Sequence, residues 1–152
     1  MNNDPQIPPL PLRLGAGGLV PFIVLAGSLW AAPLDYRPLL LGWLSTYAAV
    51  ILSFIGALHW GIAMVHRNMT ASDRALFMTW SVVPAIAAWV ALLLPETTRF
   101  MVLAAAFTAN YAMDRELVRR YSITRWFLRL RGGLTAVVVP CLLLAALRAF
   151  LP

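Results

Sequence analysis

Lysine is missing from this chain: all twelve of its basic side chains are arginine. Acidic residues number only six, and charged residues make up 12% of the sequence, against about 25% in a typical soluble domain. With 61% apolar residues, there is too little charge to cover a water-facing surface, which excludes an ordinary soluble domain. A single cysteine, Cys141, rules out an intramolecular disulfide and any cysteine-based metal site. No P-loop, G-x-G-x-x-G, G-x-S-x-G or H-E-x-x-H pattern occurs, so nucleotide binding and the common hydrolytic chemistries have no motif to rest on. The opening MNNDPQIPPLPLR has neither a positive n-region nor a small-residue cleavage site. The first apolar run is therefore expected as a retained helix, not a cleaved leader.

What the sequence does contain is long apolar runs. A spanning helix needs about 20 mostly apolar residues. Runs over 14–32, 38–65, 75–94, 99–114 and 133–151 supply about five transmembrane helices. The fold class is thus all-α, a polytopic membrane helical bundle. Residues 1–13, rich in proline, are expected to be a flexible N-terminal segment, and 14–152 a single bundle domain. The run over 99–114 is short and spans only by borrowing its flanks. Pro21, Pro84 and Pro140 fall inside runs and should bend them. With the N-terminus inside, the inner connections hold nine arginines and the outer ones three, Arg37, Arg99 and Arg148. The positive-inside bias then places the N-terminus in the cytoplasm and the C-terminus outside.

Six arginines crowd between Arg115 and Arg131. At 100° per residue, Leu117, Tyr121, Thr124 and Leu128 form one stripe, opposite Arg115, Arg119 and Arg129. The segment 115–131 reads as an interfacial amphipathic helix, with Arg125, Arg129, Arg131 and Trp126 at anionic lipid headgroups. A basic pI of about 10.7 is explained by this loop without nucleic acid. Gly132-Gly133 would break the chain before the last span.

On the second run, Gly42, Ser45, Ala49 and Gly56 share a small-residue face with His59. Such faces let membrane helices approach closely, so His59 is directed into the bundle. An ionisable residue there is a functional candidate by default, beside the plainer reading of a packing histidine. Asn110 and Asp114, spaced i,i+4 on the fourth run, share a face. They end at the same leaflet as His59, as does Ser81, so these four form a candidate polar cluster. A buried Asp114 needs a donor. His59 leads, with Arg13 and Arg74 as rivals. Both histidines, 59 and 66, lie on one helix about 10 Å apart by rise, which cannot ligate one haem, and zinc would need three or four ligands. No metal and no cofactor is expected.

The stretches LGAGGLVPFIVLA, YAAVILSFIGALHWGIAM, WSVVPAIAAW, YAMDREL and RWFLRLRGGLT occur in this order. Over Leu14 to Thr135 the chain resembles the domain-of-unknown-function 3429 family, whose animal relatives are called transmembrane protein 69. The blocks Ser53–Gly61 and Asp114–Thr135 are the specific parts. A proline usual before the WFLRLR block is absent here, where Ile123 and Thr124 stand. The resemblance implies a bacterial inner-membrane or mitochondrial protein and carries over no catalytic residue. It matches His59, Trp60, Asp114, Trp126, Arg129 and Arg131.

Three functions compete. The first is a non-enzymatic accessory, assembly or scaffold component, packing on itself as a homo-oligomer or on a larger membrane complex, with membrane lipids as further partners. The second is a proton-linked or small-solute carrier or channel through the His59 region. The third is a protein or enzyme acting on lipid or quinone at the inner leaflet.

Overall fold

Prolines set most of the boundaries. In the computed structural model, which describes residues 6–151, the helices are α1 (Pro9–Ala31), α2 (Arg37–Val65), α3 (Ala71–Leu92), α4 (Glu96–Arg120) and α5 (Arg125–Phe150). Pro9 opens α1 and Pro38 sits in the first turn of α2, where a missing N–H costs nothing. Pro33 and Pro95 stand immediately outside helices. At α3 the cap is Thr70, whose hydroxyl oxygen accepts from the Asp73 N–H at 3.2 Å. Helix α1 therefore starts five residues earlier than expected, so 9–13 are helical. Residues 1–5 of the expected flexible segment lie outside the described residues.

The chain runs up and down. The start of α1 meets the start of α5 through Gly15 and Leu134. Arg74, at the start of α3, donates to the carbonyls of Ala63 and His66 at the end of α2, satisfying carbonyls that a helix terminus leaves open. Arg120, at the end of α4, reaches Asp73 on α3 at 2.5 Å. All these ends share one face, the near face. On the far face Arg148 donates to the Leu29 carbonyl and Arg37 to that of Leu151. Five alternating helices thus put the start of α1 and the end of α5 on opposite faces.

Among the described residues four helices, all but α4, are long and apolar enough to cross a membrane. Helix α4 has the length, 25 residues, but not the composition. It can carry polar groups because its partners are protein: Phe100, Leu103, Phe107, Asn110, Asp114 and Leu117 are all buried between the other helices. Many large apolar side chains face outward instead, among them Trp43, Phe54, Trp89 and Val65. That surface suits hydrocarbon and not water.

The expected interfacial helix over 115–131 does not exist as an element. Helix α4 runs on to Arg120, the chain opens over 121–124, and α5 starts at Arg125. Local pairing explains the difference. Glu116 accepts from Arg119 at 2.6 Å and from Arg120 at 2.6 Å, one turn on, which extends α4. Hydrogen bonds from Arg119 and Arg120 pull the Glu116 carboxyl down to about 2. Tyr121, expected on the lipid stripe, instead donates its hydroxyl to Asp73 Oδ2 at 2.6 Å.

Gly132 and Gly133 do not break the chain either; both lie inside α5, with no positive φ. Gly132 is a contact point between α4 and α5. A Cβ there would lie 2.8 Å from the Tyr111 hydroxyl. Gly132→Ala should therefore lower thermal stability in mild detergent, and adding Tyr111→Phe, which removes the obstructing oxygen, should restore most of it. The check is the melting temperature of the two variants; no rescue would mean that the contact is not what limits the site.

Candidate functional site

The polar cluster is built by three helices. On α2, the small residues Ser45, Ala48, Ala49, Gly56 and Ala63 are buried on the face that carries His59. At Gly56 the neighbour is α3: a Cβ would lie 2.9 Å from Pro84 side-chain carbons and 3.1 Å from the Ser81 carbonyl oxygen. Gly42 differs, with nothing within 4 Å of its Cβ position, so it does not mark a close approach within the chain. The i,i+4 pair Asn110 and Asp114 is buried on α4, and both residues are 0% exposed, like His59.

Asp114 sits between two donors. Arg131 Nε donates to Asp114 Oδ2 at 2.8 Å, and His59 Nε2 faces Oδ1 at 3.4 Å. The Arg131 partnership was not expected. The basic patterning places Arg131 at lipid headgroups, yet it is only 6% exposed and its Nε is turned onto Asp114 of α4, so the structure moves it from the headgroups to the bundle interior. The rivals are placed elsewhere, Arg74 on the carbonyls ending α2 and Arg13 on the exposed first turns of α1. A signal for Arg131 was present. Carrying the α5 wheel back through the glycines puts Arg131, Thr135, Val138, Leu142 and Ala145 on one stripe, and these are buried residues. The assumed break at Gly132 hid it.

His59 is held from both sides. Its Nδ1 lies 3.3 Å from the Gly56 carbonyl, and its ring stacks on Phe77, with centroids 6.1 Å apart and planes 14° apart. A carbonyl only accepts, so this contact assigns the hydrogen to Nδ1. The approach of Nε2 to a carboxylate oxygen is then attractive only with a proton between them. The arrangement can hold one exchangeable proton next to a fixed ion pair. Asn110 is tied to α3, its Oδ1 accepting from Trp80 Nε1 at 3.3 Å. Ser81 turns back to the Met78 carbonyl of its own helix at 2.7 Å and does not bond to the cluster. Neither Phe77 nor Trp80 stands out in the sequence, since aromatic residues on a membrane helix carry no distinguishing spacing.

Of the other expected lipid-facing residues, Arg125 and Arg129 are exposed and Trp126 is half-buried. Among the described residues no group of three or more His, Cys, Asp or Glu side chains could hold a metal ion.

An all-helical bundle with an apolar outer surface and a buried charge cluster defines a multi-pass membrane protein. Its sequence matches the family model described as Protein of unknown function (DUF3429) over residues 7–147, and the chain belongs to that family. It is similar to Transmembrane protein 69 of Xenopus tropicalis, 34% identical over 128 residues, which are 84% of this chain and 50% of that protein. The chain thus spans about half the length of this curated relative. No solved structure matches.

Proposed function

We propose that the chain is a non-enzymatic accessory, assembly or scaffold component of a bacterial inner membrane, with its N-terminus in the cytoplasm. The observation that carries this reading is the Arg131–Asp114 pair, which bonds α5 to α4 at 2.8 Å with both side chains buried. A carboxylate committed to an arginine of the next helix works as a clasp, fixing which helices pack and in what register. A carrier would instead need such groups spread along a path to both faces. The orientation is supported by the near face, where α2–α3 and α4–α5 connections lie and arginines concentrate.

Two measurements test the reading. Cysteines introduced as Ile7→Cys and Leu151→Cys should label from opposite sides of the membrane, position 7 from the cytoplasm. In digitonin the chain should migrate on native gels in an assembly larger than its own 16.7 kDa, and proteoliposomes should show no proton or solute flux above empty vesicles. A monomer whose vesicles carry His59-dependent flux would replace this reading with a transporter.

A further inference from the structure

One cleft borders the clasp, with Arg131 in its wall. It has a volume of about 380 Å³ and is walled by α1, α2 and α5, with Phe107 of α4 among its lining residues. Its lining on α5 runs from Trp126 to Val138, roughly 18 Å at 1.5 Å per residue. That length exceeds half of a hydrocarbon core about 30 Å thick. The exposed Leu14 and Phe54 lie on its walls, so it opens sideways, where lipid would be.

Its lining is apolar and aromatic but for Arg131 and Thr135, one helical turn apart. Both are more than nine-tenths buried. Arg131 gives Nε to Asp114, while its Nη2 has no partner among the described residues. A buried donor without a partner is costly, and a small turn of the Arg131 side chain, which lines the cleft, would bring this enclosed N–H to an acceptor there. Thr135 stands beside Arg131 on the same buried stripe of α5, its hydroxyl the other polar side-chain group of the lining. Asp114 already neutralises the Arg131 charge, so a full anion gains little here, and an uncharged acceptor fits better. Depth agrees: Arg131 is six residues into α5, about 9 Å below its start, short of where phosphates sit. Flat rings stack on aromatic walls, which Phe22, Phe54, Phe107 and Trp126 provide.

We propose that this cleft binds a membrane quinone, its ring carbonyl accepting from Arg131 and Thr135 and its apolar tail lying along the α1–α5 wall. The site does not depend on the scaffold reading, and failure here leaves the native-gel and flux results standing.

The test uses the whole chain in phosphatidylcholine nanodiscs, titrated with decylubiquinone and read by tryptophan fluorescence. Quenching should saturate, and Trp126→Phe should remove most of the saturable part, because Trp126 lines the cleft. Arg131→Gln risks the fold, so the informative variant is Thr135→Val, which deletes only the hydroxyl. It should raise the half-saturating concentration at least threefold with an unchanged elution profile. Quenching that grows in proportion to the quinone-to-lipid ratio, identical in Thr135→Val, would reduce binding to partitioning and overturn the site. Saturable quenching by phosphatidylglycerol with brominated acyl chains that decylubiquinone does not relieve would assign the cleft to phospholipid and overturn it as well.

Discussion

Asp114→Ala is expected to cost about 3–5 kcal/mol of stability, because it strands the buried guanidinium of Arg131 without its counter-charge. The pair is 2.8 Å apart and both partners are buried. The variant should give little monodisperse protein in mild detergent. Replacing both partners, Asp114→Leu with Arg131→Met, should recover most of the loss, since removing a buried pair together avoids the stranded charge. His59→Phe should be milder than Asp114→Ala. Asp114 keeps Arg131, and an aromatic ring can still stack on Phe77. Melting temperatures of the three variants decide the matter. If the double variant is as damaged as Asp114→Ala, the electrostatic clasp is the wrong explanation and packing volume is the right one.

Gly56→Leu should prevent folding outright. The first side-chain carbon alone would lie 2.9 Å from the Pro84 ring and 3.1 Å from a backbone oxygen of α3. Neither obstacle is the flexible end of a side chain, so α2 and α3 must separate. Even Gly56→Ala should lower the melting temperature clearly. Gly61→Ala on the same helix is the control. Nothing lies within 4 Å of its Cβ position, so the higher helix propensity of alanine, about 1 kcal/mol over glycine, should leave it neutral or slightly more stable. Equal tolerance at positions 56 and 61 would refute the α2–α3 crossing.

These two positions also show how far pattern reading reaches. The small-residue stripe on α2 identified the inward face of that helix, and with it His59, because a helix has one period and a face is a property of one element. Asn110 and Asp114 were joined by the same argument on α4. Arg131 was misassigned for a related reason. Six arginines between 115 and 131 read as one basic surface segment, and the glycine pair 132–133 reads as its end. Within that segment, composition could not separate Arg129, exposed, from Arg131, buried. The break actually falls at 121–124, where the Tyr121 hydroxyl is drawn to Asp73, 48 positions away in sequence. No local pattern reports a contact of that range.

By itself the sequence determined that the chain is helical, that it meets lipid, roughly where its apolar runs lie, and which faces of α2 and α4 turn inward. Each of these follows from composition or from a period of 3.6 residues, and both are local properties. Only the tertiary structure decided that α4, less apolar than the other helices, turns Asn110 and Asp114 onto its neighbours, that Arg131 and not His59 is the closer partner of Asp114, and that Arg131 also lines an apolar cleft. Those depend on how helices far apart in sequence are set against one another. In a membrane bundle, where lipid is as apolar as the core, that choice rests on close packing and buried polar pairs more than on hydrophobicity.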